Sequence, residues 1–201
     1  MSERFRFSGM QLAVLGLLAS AALPTLSQEE TPIFVITPEE SKITFYIKSS
    51  VSLEGTFKEW EAALTFTTPD VTTGVLDIKI QADSVNTGSG MKDSKIKSKD
   101  FFDVEKDPLI TFHSDKVIQT SPTTFDLPGT FTIRGVSKPE TLTFTVTGKT
   151  GSGEVKGAMA FDRKDYGMNK GIPFVKIADR VEVTVNLKGK RVSGPPLVFK
   201  Q

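Results

Sequence analysis

The sequence SVNTGSGMKDSKIKSKDFFDVEKDPLITF, residues 84–112, interrupts an otherwise continuous series of predicted β-strands. A strand ends at Val85, and a glycine-rich turn leads from it into a very polar run. Four lysines mark that run: Lys92, Lys95, Lys97 and Lys99. An aromatic pair, Phe101 and Phe102, follows before Pro108 begins the next strand. A long polar excursion with an aromatic pair between two core strands predicts a lid at the rim of a β-barrel.

Outward from this stretch, apolar residues alternate with polar ones, which is the period of a strand with one buried face. The residues predicted to face the interior include Phe45, Ile47, Phe66, Ile78, Ile80, Phe112, Phe131, Ile133, Phe144, Val146 and Phe161. Turn residues at 69–74, 120–123, 135–139 and 148–153 predict hairpins between the strands. About eight antiparallel strands connected in this way predict an all-β, up-and-down barrel, because closure removes exposed edges. A β-sandwich is the alternative architecture.

The first 27 residues are typical of an export signal. Arg4 and Arg6 precede an apolar run from Met10 to Leu23, and small residues follow it up to Ser27. About 14 apolar residues are fewer than the roughly 20 that span a bilayer, so cleavage is favoured over a retained membrane anchor. The predicted organisation is a signal peptide (1–27), one barrel domain (28–191) and a C-terminal tail (192–201). A periplasmic or secreted protein without stable membrane insertion is expected.

Charge and composition exclude several classes of function. The chain has 25 basic and 24 acidic side chains, and removal of Arg4, Arg6 and Glu3 with the signal leaves 23 of each. A neutral mature chain argues against a nucleic-acid partner, which would select for a basic surplus. The chain has no cysteine, so it forms no disulfide and has no thiol chemistry. About 174 mature residues suit one domain that folds without such cross-links.

Residues with catalytic potential are few. One histidine occurs, His113, and it follows the inward Phe112, so it is expected on the outer face of its strand. A zinc site built from cysteine and several histidines is excluded, and no metal or other cofactor is expected. Asp162 with Asp165, and Asp100 with Asp103, are carboxylate pairs of the kind that glycosidases use. Carboxylates that cap loops are commoner, so no catalytic residue is assigned. An enzyme that acts on amphiphiles is kept as an alternative.

Four blocks of sequence carry a family resemblance. They are Gly55-Thr56-Phe57; Ser84-Val85-Asn86-Thr87 with Asp93, Ser98, Asp100-Phe101-Phe102 and Pro108 to Phe112; Gly129 to Pro139; and Arg163 with Asp165 to Met168. In this order and spacing, over residues 33–189, they resemble the YceI-like, polyisoprenoid-binding proteins. The resemblance implies an extended antiparallel, lipocalin-like barrel that holds an isoprenoid or another long-chain amphiphile.

If this resemblance holds, the inward residues named above line an apolar lumen and Phe101 and Phe102 cover it. A filled structural or interaction barrel would need the same inward residues, because a sequence does not measure a void. The sequence also leaves open whether two barrels pair as a homodimer.

The lysine run departs from the family pattern. Lys92 and Lys95 stand where many members carry Arg and His, and the place near Ser49 lacks a histidine that many members have early in the barrel. At the rim, Lys92 and Lys95 could pair with an anionic headgroup as point charges. A solvated helical face is the alternative explanation of the same run.

Overall fold

A computed structural model of the protein describes residues 30–51, 53–149 and 152–199. Within these ranges the chain forms twelve β-strands and one α-helix, α1 (Gly90–Lys97). The strands are β1 (Ile33–Ile36), β2 (Lys42–Ser49), β3 (Glu54–Phe57), β4 (Trp60–Thr65), β5 (Val75–Gln81), β6 (Val85–Asn86), β7 (Leu109–Ser114), β8 (Ile118–Gln119), β9 (Thr124–Ile133), β10 (Val136–Lys149), β11 (Ser152–Asp162) and β12 (Ile177–Ser193). Short 3₁₀ turns occupy Pro38–Glu40, Val71–Thr73, Ala82–Ser84 and Arg163–Tyr166. The predicted signal peptide lies outside the described residues.

All the strands belong to one curled antiparallel sheet that forms a half-barrel around the core. Its order is β4-β5-β7-β9-β10-β11-β12-β2-β3-β6, while β1 pairs with β12 and β8 pairs with β9. The predicted all-β, antiparallel barrel with a short helical lid is confirmed, and the sandwich is wrong because there is a single sheet. The expected number of strands corresponds to the eight that have six or more residues: β2, β4, β5, β7, β9, β10, β11 and β12.

The two ends of the sheet meet at a corner of the chain. β3 and β4 are separated by Lys58 and Glu59, yet β3 pairs with β2 and β6 while β4 pairs with β5. The Lys58 amide donates to the Ser84 carbonyl (3.2 Å), and the carbonyl of Glu59 accepts from the Gln81 amide (3.0 Å). These bonds link the two ends of the sheet where the chain bends, so backbone groups on both sides of the corner are paired.

The β9–β10 hairpin turns on two residues, Arg134 and Gly135. Both have positive φ, 54° and 68°, which is the requirement of the tight turn whose twist matches the strands it joins. The turn was expected at 135–139, but Val136 to Pro139 already belong to β10. Pro139 is accommodated because β11 pairs with β10 only from Thr143 onward, so the absent amide donor is not needed on that side.

A gap in the ladder accommodates Pro128 and Gly129. β9 pairs with β8 at Phe125 and Asp126 and with β7 only from Thr130, so Pro128 has no ladder partner on that side. The Pro128 carbonyl instead accepts the Ser114 hydroxyl (2.8 Å). A Cβ on Gly129 would lie 2.3 Å from the His113 carbonyl oxygen, so only glycine permits β7 and β9 to approach this closely.

The lid segment, residues 87–104, consists of the helix α1, the turn before it and the residues after it. Asp93 accepts hydrogen bonds from the Thr87 amide (2.8 Å) and hydroxyl (2.6 Å), which ties the helix to the end of β6. These bonds hold the pKa of Asp93 below its ordinary value. Ile96 is the helical residue that is buried, so the helix itself is anchored by hydrogen bonds more than by an apolar face.

The C-terminal segment, predicted from the sequence as a tail at 192–201, packs against the barrel. Val198 donates to the Pro69 carbonyl (2.9 Å) and accepts from the Val71 amide (3.2 Å). The ring of Phe199 lies 5.8 Å from that of Phe125. The segment therefore returns to the open end of the barrel, opposite the lid. In the described part of the chain, no helix is long and apolar enough to cross a membrane.

Candidate ligand-binding site

Two apolar cavities lie inside the curled sheet. The larger has a volume of about 330 Å³ and lies at the end where β1 and the C-terminal segment meet. The smaller has a volume of about 60 Å³ and lies under the lid segment. Ligand pockets for one small molecule are roughly 300 to 1,000 Å³, so the larger cavity has the size of a binding site and the smaller one does not.

The larger cavity reaches the protein surface. Its walls include the buried side chains of Leu76, Leu127 and Leu187. Around its opening stand four exposed residues: Pro122, Thr123, Thr147 and Phe199. A ligand can therefore reach the apolar walls without unfolding any strand.

The smaller cavity is nearly filled by aromatic rings. Phe102 stacks on Phe57, with ring centroids 6.0 Å apart at 24°, and meets the edge of Phe45 at 6.4 Å. Phe101 also lines this cavity. Both phenylalanines of the lid are buried, 4% and 9% exposed, so the aromatic pair packs into this end of the barrel.

A layer of packed side chains separates the two cavities; we call it the middle layer. It consists of Ile78, Phe112, Leu142, Met159 and Val185, all of them buried, and none lines either cavity. On β5, Ile78 lies between Leu76 of the larger cavity and Ile80 of the smaller. Val185 has the same place on β12, between Leu187 and Val183. The barrel interior is thus filled at mid-height.

A glycine makes room for the middle layer. The position of a Cβ on Gly129 would be 2.8 Å from Cζ of Phe112, so the Phe112 ring occupies the place of a side chain on the neighbouring strand. Gly129 lies on β9 between Leu127 of the larger cavity and Phe131 of the smaller.

One charged side chain stands among the described residues that line the larger cavity: Arg191, near the end of β12. It pairs in register with Phe34 of β1, which also lines the cavity. One of its terminal nitrogens donates to the Gly194 carbonyl. Its Nε is buried and has no hydrogen-bond partner in the described structure.

The eleven inward residues predicted from the sequence divide between the two cavities. Ten are buried and Val146 is half-buried. The larger cavity is lined by Phe66, Phe144 and Val146. The smaller is lined by Phe45, Ile47, Ile80, Phe131, Ile133 and Phe161. Ile78 and Phe112 belong to the middle layer, so they fill the interior where a lumen was expected.

The predicted rim lysines lie on α1, away from the lining of both cavities. Lys95 pairs with Asp100 (2.7 Å) and its ammonium lies 5.7 Å from the centre of the Phe101 ring. The hydrogen bond from Lys95 lowers the pKa of the Asp100 carboxyl. Lys95 therefore stabilises the lid segment. Lys92 is also engaged in an interaction within the structure.

The acidic pairs considered for catalysis are engaged in the structure. Asp162 accepts from the Lys164 amide (2.8 Å) and caps the 3₁₀ turn, while Asp165 pairs with Lys138 (3.3 Å). His113 is exposed and lies 2.8 Å from Asp77 on the outer face, as its strand position predicted. The described residues include no group of three or more His, Cys, Asp or Glu that could hold a metal ion.

Arg163 and Tyr166 support the lid end of the barrel. Arg163 is 5% exposed and donates to the carbonyls of Met168, Lys170 (3.0 Å) and Ala178 (3.2 Å). Its guanidinium also pairs with Asp179 (2.9 Å), whose pKa is lowered chiefly by a hydrogen bond from Lys164 and further by Arg163. These contacts fix the loop after the 3₁₀ turn.

Tyr166 is fully buried and donates to Glu140 (3.0 Å). Burial, with the nearby Glu140 carboxylate, raises the pKa of its phenol. Together with Arg163, this tyrosine shows that part of the signature sequence supports the fold.

Sequence reasoning missed several residues of the larger cavity. They are Phe34 and Ile36 of β1, Val71 and Val117 of two connections, and Leu197 and Phe199 of the C-terminal segment. One signal was available, since Leu197 and Phe199 are apolar residues in a segment that follows two prolines.

The family model of the YceI-like domain matches residues 34–189 of this chain. The chain belongs to the YceI-like family. A UPF0312 protein of Azotobacter vinelandii is 28% identical over 145 residues, which cover 69% of this chain and 74% of that protein. A UPF0312 protein of Pseudomonas syringae pv. tomato is 33% identical over 97 residues, which cover 48% of this chain and 50% of that protein.

Solved structures share the fold. BcnA of Burkholderia cenocepacia superposes with a TM-score of 0.70 at 24% identity, covering 77% of this chain and 99% of BcnA. A polyisoprenoid binding domain from Saccharophagus degradans superposes with a TM-score of 0.59 at 16% identity, covering 79% and 98%. At these identities the similarity establishes the barrel architecture of this YceI-like protein and no more.

Proposed function

We propose that this YceI-like protein is an exported, non-enzymatic binding protein that encloses the apolar chain of an isoprenoid or a similar amphiphile in the larger cavity. One observation carries the proposal: a cavity of about 330 Å³ with mainly apolar walls opens at the end of the barrel opposite the lid. The mechanism is partition from water, without a chemical step.

The energetics follow from the walls of the cavity. Transfer of hydrocarbon out of water contributes about 0.8 kcal/mol for each buried CH₂ group. Leu76, Leu127 and Phe144 provide an apolar surface for that transfer. The middle layer closes the inner end, so affinity rises with chain length only until the chain reaches Ile78 and Val185, and longer chains extend past the mouth.

The family supports the choice of ligand class. The Saccharophagus domain with the same fold is described as polyisoprenoid binding. This chain keeps the apolar interior that such a ligand requires, and its carboxylate pairs are occupied by caps and ion pairs.

Export is supported by the positively charged start and the apolar run from Met10 to Leu23. The mature protein is expected in the periplasm or outside the cell, with cleavage near Ser27. Intact-mass measurement of the exported form checks this, and a mature chain that retains residues 1–20 would contradict it.

Mass spectrometry of the organic extract of protein purified from its host tests the proposed function. The expected result is one single-chain amphiphile in near-stoichiometric amount. Phe144→Trp is the matched variant, because it narrows the larger cavity and should release the ligand. An extract with no lipid, together with no binding of farnesol or dodecan-1-ol by delipidated protein, would contradict the proposal.

A further inference from the structure

We propose that Arg191 binds the anionic head of the amphiphile at the mouth of the larger cavity. The ligand would then carry a carboxylate or a phosphate, and its head would lie opposite the lysine-bearing lid. This inference rests on the proposed function and adds the position and the charge of the headgroup.

The position of Arg191 fits this role. It lies near the end of β12, two residues beyond Gly189, which also lines the cavity. Phe34, its register partner, contributes its ring to the same wall. A chain inserted along Leu187 towards the middle layer would leave its head at the level of this guanidinium.

The hydrogen-bond inventory of Arg191 also fits. A guanidinium offers five N–H donors, and the described structure gives this one a single acceptor, the Gly194 carbonyl. The Nε of Arg191 is buried without a partner, and no described carboxylate lies within ion-pairing distance of the side chain. The second terminal nitrogen has no acceptor among the described residues, so its N–H groups are the donors that an oxyanion in the cavity would use.

Arg163 provides the contrast within the same barrel. Its guanidinium donates to three carbonyls and pairs with Asp179. These acceptors all belong to the protein, as expected of an arginine with a structural role. Arg191 uses only part of its guanidinium donors and lies beside an open apolar cavity. The adjacent N–H donors of a guanidinium can bind two oxygens of a carboxylate or a phosphate at once.

The lid offers no equivalent site. Lys95 is already paired with Asp100, and the cavity beneath the lid is about 60 Å³. The middle layer also separates that end from the larger cavity. An amphiphile whose chain fills the larger cavity therefore cannot place its head near Lys95.

Isothermal titration of the delipidated mature protein tests the inference with three probes of equal chain length: dodecanoate, dodecyl phosphate and dodecan-1-ol. Arg191→Met removes the charge and keeps an apolar stem. Lys190→Met is the matched control, since Lys190 is the adjacent exposed residue and the same charge is removed. Lys92→Ala combined with Lys95→Ala tests the lid.

In the wild type, one or both anionic probes should bind more tightly than the alcohol. Arg191→Met should weaken the preferred anion about ten- to a hundredfold, the scale of hydrogen bonds to a charged group. The affinity of the same variant for dodecan-1-ol should equal that of the wild type. Lys190→Met and the lid double variant should bind all three probes like the wild type, and the tighter anion distinguishes a carboxylate head from a phosphate head.

Three outcomes would overturn the inference while leaving the proposed function intact. The first is equal affinity of the wild type for the anions and the alcohol. The second is an equal loss of anion and alcohol binding in Arg191→Met, which would make the arginine structural. The third is loss of the anion preference in the lid double variant. Absence of binding by all three probes would instead count against the proposed function.

Discussion

The ring of Phe144 occupies the place of a side chain at position 157. A Cβ on Gly157 would lie 2.3 Å from Cε1 of Phe144 and 3.2 Å from Cδ1 of Leu142. Because Gly157 has no side chain, the ring can lie against β11 and leave the larger cavity open. The volume of the larger cavity thus depends on a glycine that does not line it.

Gly157→Ala should therefore push the Phe144 ring into the larger cavity. The expected result is weaker binding of farnesol, because the apolar volume falls while the walls keep their composition. Gly171→Ala is the control, since a Cβ there would meet no atom within 4 Å. Titration calorimetry measures the farnesol affinity of both variants. An unchanged affinity in Gly157→Ala would place the ligand outside the larger cavity.

Met159→Ala should join the two cavities, because Met159 belongs to the middle layer. The void costs about 2–5 kcal/mol of unfolding free energy, and the joined cavity should bind longer chains more tightly than the wild type does. Met168→Ala is the control: it removes the same side chain at the lid end, where Met168 lines only the smaller cavity.

A series of primary alcohols of increasing length measures the effect. In the wild type, affinity should stop rising at the length that reaches the middle layer, and in Met159→Ala it should continue to rise. The same plateau in both variants would show that the middle layer does not limit the ligand.

Lid stability should depend on the charge of Asp93. Its pKa lies below the ordinary value of 3.8, mainly because the Thr87 hydroxyl donates to it. A carboxyl with a depressed folded-state pKa stabilises the protein above the unfolded pKa, and this contribution is lost as the pH falls through the folded value.

The wild type should thus be more stable than Asp93→Asn at pH 5 to 7, and the difference should shrink as the pH falls below about 4. Denaturant unfolding of both proteins across this range measures it. A difference that stays constant down to pH 2 would show that the charge of Asp93 contributes nothing.

Arg163→Lys should lower the unfolding free energy by roughly 2–4 kcal/mol, because a lysine cannot serve three carbonyls and Asp179 from one ammonium. Lys164→Ala is the control, since Lys164 contacts the same aspartate from an exposed position and should have little effect. Equal losses in the two variants would assign the effect to Asp179 alone.

Local sequence pattern predicted much of the fold. Alternation placed Phe45, Ile80 and Phe131 on the inner face, and Phe101 and Phe102 were expected to cover one end. These predictions succeed because side-chain direction along a strand has a fixed period of two. The lid followed from the contrast between its lysines and its aromatic pair.

The site was harder to predict, because a void depends on packing between strands distant in sequence. The larger cavity exists because Phe144 lies against Gly157 and because Leu197 and Phe199 return to the barrel mouth. The contact between Phe144 and Gly157 has no local signal. The two prolines before Leu197 and Phe199 mark an apolar segment but do not show where it packs. No sequence motif singled out Arg191, because only the fold places it beside the cavity.

Thermal melting of delipidated protein with and without farnesol tests the central claim, occupation of the larger cavity, most directly. At a ligand concentration about a hundredfold above Kd, linkage should add about 2.7 kcal/mol of stability. Phe144→Trp should lose this gain, and Phe131→Trp, in the smaller cavity, should keep it. Melting of the wild type that farnesol leaves unchanged would contradict the account, as would a gain that survives in Phe144→Trp and disappears in Phe131→Trp.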